Sequence, residues 1–320
     1  MDKQVLVAMV NYKQNSFTID CVKSVSACGV APQSVVVFDN GNKPSDHEEL
    51  KASVSSMARV LYSEKNVGYI GGVNECLALG LRENYSYILI MNNDTVIDTD
   101  AVGELISCAL RYQDRCIVTG IVYDYTERNL IQTIGSDLVD KKRLKFVSRI
   151  RSEYDCGQLT EEIEFDMIDD IFWLVPMELV RQIGFYNNAF WFNAEQADFA
   201  LRAKKAGYKL IFTPRAKLWH KGSASVGGRK ENPVITYWNT QSRLILKRIH
   251  LPLMCFLRDI VVSLCFALLK GMALYRMADK QKRRVARVNN RAVILASLYV
   301  IGWCFTRKAN KGFNPFLERA

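Results

Sequence analysis

Short apolar runs alternate with amphipathic stretches through the first two thirds of the chain, and most of the runs end in polar side chains. Gln4 to Val10 predicts a strand that ends in Asn11-Tyr12, and the spacing of Phe17, Cys21, Val22 and Val25 predicts a helix up to Gly29. Ser34 to Phe38 predicts a second strand ending in Asp39-Asn40-Gly41, followed by a helix over 45–56 and a short strand at Arg59 to Tyr62. Gly68, Gly71 and Gly72 then precede a helix expected from about Val73. Tyr87 to Met91 carries no charge, which suits a strand buried on both faces, and it runs directly into Asn92, Asn93 and Asp94. A helix near 100–112 and a strand at Cys116 to Val122 continue the alternation. Strands alternating with helices predict an α/β fold with a parallel sheet, whose ligands bind at the carboxyl ends of the strands.

From 124 to 166 the pattern loosens into polar, hairpin-like sequence, expected to form a solvated surface. Order returns with a strand at Met167 to Val175 and a short helix from Pro176 to Ile183. Further on, Glu195, Asp198 and Arg202 fall at i, i+3 and i+7 on one helix face, a spacing that an ordinary solvated ion-pair face satisfies equally well. Lys209 to Thr213 predicts another strand, and His220 follows it just before a Gly and Ser stretch. An imidazole there can complete a metal site begun by Asp94, although a lone His is more often structural. Taken singly, Asn92 to Asp94 also reads as a turn, and the three glycines as a Gly-rich lead into a helix.

Charge separates the chain into two parts. Residues 1–228 hold 25 Lys and Arg against 29 Asp and Glu, whereas 229–320 hold 18 against 4, so the whole basic excess lies in the last third. The expected organisation is a catalytic or binding domain over 1–228 and a basic helical extension over 229–320. The excess calls for a partner with phosphates. No arrayed aromatic platform or helix-turn-helix spacing accompanies it, so an anionic membrane surface is expected rather than nucleic acid. Apolar segments at Ile260 to Leu269 and Ala292 to Phe305 fall short of the roughly 20 residues that cross a bilayer. Helices lying in the headgroup region fit better, with Lys280, Lys282, Arg283, Arg284, Arg287 and Arg291 facing lipid. The nine cysteines lack CxxC pairs and the first residues lack a cleavable signal pattern, so reduced thiols in the cytoplasm are expected.

Six segments, in order, resemble the inverting glycosyltransferases of family 2 with a GT-A fold, most closely their rhamnosyltransferase-like branch. They are VAMVNYKQ, VVVFDNG, EKNVGYIGGVNECL, ILIMNNDTVID, FYNNAFWFNAEQADFALRAKKAGYK, and LWHKGSAS followed by YWNTQSRLILKR. The resemblance covers about residues 4–250 and implies a Rossmann-like, mostly parallel sheet flanked by helices. It implies that Asn11 and Asp39 line a nucleotide pocket, and that Gly68, Gly71, Gly72 and Asn74 pack against nucleotide and sugar. Asn92, Asn93 and Asp94 stand where the family's DxD motif holds Mg²⁺ or Mn²⁺ on the diphosphate, so the ion is expected on Asp94 with help from His220. The family's base is the Asp of a Glu-Asp pair, yet this chain has Glu195-Gln196, and an amide cannot take a proton. Glu195 or Asp198 is expected to replace it; the alternative is a catalytically weakened sugar-nucleotide-binding protein. The implied activity moves a sugar, L-rhamnose from a dTDP donor, onto a lipid-linked saccharide of bacterial surface polysaccharide (O-antigen-like) synthesis, peripherally at the inner face of the inner membrane.

Overall fold

The computed structural model describes residues 5–222, 232–274 and 279–317. The chain divides into two compact units, one of Met1–Asp140, Lys145–Tyr186 and Phe199–Ala224, the other of Lys141–Leu144, Asn187–Asp198 and Ser225–Ala320. The boundary expected at 228–229 lies outside the described residues, as do Gln4 and the Ser-Ala-Ser run at 223–225 that was expected to follow His220.

The first unit opens with β1 (Val5–Asn11), α1 (Asn15–Ala27), β2 (Val35–Asn40), α2 (Pro44–Val54), β3 (Arg59–Ser63), α3 (Gly68–Arg82) and β4 (Tyr87–Met91). These four strands are parallel in the order β3-β2-β1-β4. β1, β2 and β4 are buried almost throughout, as the uncharged runs Leu6–Val10, Val35–Phe38 and Tyr87–Met91 require. The start expected for α3 near Val73 is corrected to Gly68, because polar side chains organise the preceding turn. Asn40 Oδ1 accepts the Val67 N–H at 2.8 Å and Asn66 Oδ1 accepts the Gly68 N–H at 2.8 Å, so the helix begins five residues early.

Past β4 come β5 (Thr95–Ile97), α4 (Ala101–Arg111) and β6 (Cys116–Asp124), and then the polar excursion with β7 (Leu130–Thr133), β8 (Ser136–Asp140), β9 (Lys145–Ser148), β10 (Glu153–Tyr154) and β11 (Ile163–Glu164). β12 (Phe172–Pro176) is inserted antiparallel between β4 and β6, and α5 (Met177–Ile183) follows it. The strand expected from Met167 starts at Phe172. α6 (Glu195–Lys205) leads to β13 (Lys209–His220).

β13 corrects the expectation that its strand stops at Thr213. It pairs in parallel with β6 over Lys209–Phe212 and again over Lys217–His220, with a register shift between. Pro214 sits in that shift, where a strand tolerates a residue without an N–H. Gly120 on β6 faces it: a Cβ there meets the Ala216 carbonyl oxygen at 2.1 Å. The second half of β13 thereby also pairs antiparallel with β5, His220 opposite Thr95.

The second unit holds α7 (Pro233–His250), α8 (Leu253–Leu274) and α9 (Lys280–Thr306); α7 and α9 pack through Tyr237, Trp238, Ala292 and Ala296, with Trp191 stacked on Trp238. Asn290 Nδ2 donates to the Ala267 carbonyl at 2.8 Å and ties α9 to α8. α8 buries Phe256, Ile260, Ala267 and Leu274. Its opposite side leaves Met254, Val261, Val262, Phe266, Leu269 and Met272 between 58% and 75% exposed. Asp259 does not break that side, because it pairs with Lys247 and Arg258. α9 extends well beyond the apolar segment from Ala292 and is long and apolar enough to cross a membrane by length and composition, although 39% of its apolar window is buried in the protein.

Substituting Gly120→Ala is expected to lower stability by ~1–3 kcal/mol through the clash with backbone at Ala216, measured as a lower urea midpoint with an unchanged slope.

Candidate active site

The tips of β1, β2 and β4 are joined through Asn11, which is fully buried. Asn11 Nδ2 donates to Asp39 Oδ1 at 2.9 Å and to Asn15 Oδ1 at 3.0 Å, and its Oδ1 accepts from Thr18 Oγ1 at 2.7 Å and Asn93 Nδ2 at 3.4 Å. Asp39 Oδ2 lies 2.9 Å from His47 Nδ1, and Tyr62 stacks on that imidazole at 3.9 Å between ring centroids. A recess of about 440 Å³ opens beside this network, lined by Lys13, Asn15, Asn42, Lys43 and Asp46. Its size matches small-molecule pockets, and two lysines at its wall suit an anionic ligand.

Asp94 and His220 meet at the same rim. The β5–β13 pairing brings His220 Nε2 to 3.2 Å from Asp94 Oδ1, both side chains being mostly buried. Two ligands at right angles on an ion with ~2.1 Å bonds are about 3.0 Å apart, so the pair has the spacing of a chelating set. Among the described residues no group of three His, Cys, Asp or Glu converges on one point. A divalent ion that takes its remaining ligands from phosphate and water needs only one or two protein donors, and the residues present fit that mode. Behind His220, Nδ1 lies 2.9 Å from Gln132 Oε1, and Gln132 Nε2 donates to Asp124 Oδ2 at 3.1 Å. The backbone N–H of Glu127, with the Gln132 amide and the Thr126 N–H, holds the Asp124 carboxyl below its usual range.

The glycine-rich segment packs more than it gapes. A Cβ on Gly72 meets Phe38 and Val10 side chains at 2.9 Å, so this glycine lets α3 lie against the sheet. Asn74 clamps backbone, donating to the Tyr186 carbonyl at 3.1 Å and accepting the Tyr186 N–H at 2.9 Å. Asn92 donates its N–H to the Ile171 carbonyl at 2.9 Å, which brings the start of β12 beside the Asn92–Asp94 turn. Asp170, one residue back, accepts from Tyr69 at 3.4 Å and Tyr186 at 3.3 Å. Burial first, and the neighbouring Asp169 second, raise its carboxyl to about 7.

In the second unit Glu195 and Asp198 are buried, which corrects the solvated ion-pair reading of that helix face. Asp198 Oδ1 lies 2.8 Å from His250 Nε2 on α7. Asn193 and Ala194, just before Glu195, both take left-handed backbone at φ 63° and 64°. Such strain in residues other than glycine collects at functional sites.

The structure thus gathers Asn11, Asp39, Asn93, Asp94 and His220 at one rim of the first unit, with Gly68, Gly71, Gly72 and Asn74 on the adjoining helix. Sequence reasoning missed His47, Tyr62, Gln132, Asp124 and Asp170. The Asp-Asp pair directly ahead of an apolar strand was a legible signal for Asp170. Nothing local marked Gln132, which lies in the polar excursion.

Residues 6–163 match the model of the family described as Glycosyl transferase family 2. Asn11, Asp39, the three glycines, Asn74 and Asn92 to Asp94 fall inside that segment, while Glu195, Asp198 and His220 lie beyond it. The chain is 20% identical over 258 residues to galactofuranosyltransferase GlfT2 of Mycolicibacterium smegmatis, covering 72% of this chain and 39% of that protein. It is 20% identical over 269 residues to galactofuranosyltransferase GlfT2 of Mycobacterium tuberculosis, covering 77% and 41%. The chain therefore spans about two fifths of the length of the curated relatives it matches. Similar solved structures include GalNAc-T7 with UDP, GalNAc and Mn²⁺ (TM-score 0.53, 15% identity, 76% of this chain and 50% of that one). Another is mannosyltransferase PcManGT from Pyrobaculum calidifontis with GDP-Man and Mn²⁺ (TM-score 0.53, 11% identity, 93% and 87%). The fold is GT-A-like.

Asp170 supplies a pH test. Its carboxyl lies above the ordinary 3.8, so stability from this group is full below about pH 3.8 and is lost as the pH rises towards 7. Asp170→Asn removes that loss, and in thermal denaturation its gain in Tm over the native protein is expected to be several degrees larger at pH 8 than at pH 5.

Proposed function

From a chain that carries a glycosyl transferase family 2 domain on a GT-A-like fold, we propose a glycosyltransferase that moves a sugar from a nucleoside diphosphate donor to a hydroxyl, inverting the anomeric carbon. The observation that carries this reading is the Asp94–His220 pair standing on the same sheet rim as the buried Asn11–Asp39 bond. In it, the base of the donor lies over the tips of β1 and β2, where the buried Asn11–Asp39 bond shapes the floor of the pocket, with Gly68, Gly71, Gly72, Asn74, Asn92 and Asn93 along the rest of it. Asp94 and His220 would hold Mg²⁺ or Mn²⁺. When bound, the ion supplies positive charge that offsets the charge gathering on the departing diphosphate.

Glu195 is the base of this mechanism. It takes the proton of the acceptor hydroxyl while that oxygen bonds to the anomeric carbon and the bond from carbon to diphosphate oxygen breaks. Its support is the backbone strain at Asn193 and Ala194 and the amide at Gln196, which leaves Glu195 as the carboxylate of the pair. Asp198 serves as its support on α6, held against His250.

The donor we propose is dTDP-L-rhamnose. The relatives named galactofuranosyltransferases favour an activated galactofuranose as the second reading. The acceptor is a lipid-linked saccharide of bacterial O-antigen-like synthesis, met at the inner face of the inner membrane. Support comes from the exposed apolar side of α8 and the basic start of α9 in the same unit. Gln196 also favours a weakened, sugar-nucleotide-binding protein, and donor binding without transfer or hydrolysis identifies that case.

Two outcomes check this account. In an assay with a panel of nucleotide sugars, Mn²⁺ or Mg²⁺ and lipid-linked acceptors read by mass spectrometry, Glu195→Gln is expected to cut transfer at least ~100-fold with donor affinity unchanged; near-native turnover refutes the base. Replacing Val262, Phe266 and Leu269 by Asp is expected to abolish flotation with vesicles containing phosphatidylglycerol, with the melting temperature close to native.

A further inference from the structure

The polar groups behind His220 carry more information than their distances alone. Asp124 Oδ1 accepts the backbone N–H of Thr126 at 2.8 Å and of Glu127 at 2.9 Å, and its Oδ2 faces Gln132 Nε2 at 3.1 Å. The same Gln132 nitrogen donates to the His220 carbonyl at 3.1 Å. A carboxylate and a carbonyl only accept, so the atom between them must be the amide nitrogen, and both of its hydrogens are committed. Gln132 Oε1 is then the atom 2.9 Å from His220 Nδ1, and it can only accept. Nδ1 therefore carries a proton in the neutral and in the charged ring alike. In the neutral ring the lone pair lies on Nε2, turned towards Asp94 Oδ1 at 3.2 Å, and a cation between these two electron-rich atoms holds them together; the charged ring would instead donate directly to Asp94.

We propose that Gln132, held by Asp124, is the positioning residue that sets the His220 tautomer and so turns its lone pair to a divalent ion shared with Asp94. This rests on the metal reading above. An ordinary hydrogen-bonded His at a strand end has no need of a partner pinned in one orientation from two sides. Partners behind metal-bound imidazoles commonly change metal affinity 10–100-fold when removed. The elements involved all belong to the first unit: β6 ends at Asp124, β7 carries Gln132, and β13 ends at His220.

The test uses the full chain with two readouts. Long-range ¹H–¹⁵N spectra at pH 8.5 report which imidazole nitrogen carries the proton. The protein has three His, and His220→Ala assigns the signal. Loss of the free-ion electron paramagnetic resonance signal measures uptake of Mn²⁺ alone. The native protein is expected to show His220 protonated on Nδ1. Gln132→Leu is expected to lose that tautomer and bind Mn²⁺ about 10–100-fold more weakly, with its melting temperature little changed. A native His220 protonated on Nε2, or a tautomer and affinity indifferent to Gln132→Leu, overturns the proposal while leaving the metal reading standing. Native Mn²⁺ uptake no greater than that of Asp94→Ala overturns the metal reading and this role together.

Discussion

Asp94 and His220 meet because one strand serves two neighbours. The end of β13 lies parallel to β6 and antiparallel to β5, and that double pairing is reached only through the register shift around Pro214. The shift depends on Gly120, where any side chain strikes the Ala216 carbonyl. A close backbone contact in the middle of the sheet thus sets the geometry of two polar groups at its rim. Asn11 does comparable work on the other side of the rim, tying the tips of β1, β2 and β4 with one buried amide.

Much of the α/β alternation was legible, because strands buried on both faces must be uncharged and helices packed on one face must repeat every three to four residues. Tyr87–Met91 was placed to the residue on that ground. Illegible features were those fixed by contacts distant in sequence. The strand predicted over Lys209 to Thr213 stops just before Pro214, and only the opposing Gly120 reveals that it resumes beyond the proline. α3 starts early because Asn40, 28 residues before Gly68, organises its first turn. Of the site, Asp39, Asp94 and His220 could be named from strand ends, whereas Gln132 could not. A glutamine in a polar excursion acquires meaning only when two acceptors fix its orientation.

The second unit is built on different physics. Its core is a small cluster of Tyr237, Trp238, Ala292 and Ala296 rather than a sheet. Asp259 in α8 is turned to Lys247 and Arg258 within the unit, and a long side of the helix is left both apolar and open. An apolar side of that extent meets water only at a cost, and the membrane contact proposed above would cover it while pairing lipid anions with the lysines and arginines at the start of α9.

The central claim is that Asp94 and His220 share a cation. Crystals soaked with Mn²⁺ and a nucleoside diphosphate, measured for anomalous scattering at the manganese edge, address it directly. The account predicts one strong peak about 2.1–2.3 Å from both Asp94 Oδ1 and His220 Nε2. A peak elsewhere on the chain, or a direct hydrogen bond persisting between the two side chains with no ion beside them, contradicts it.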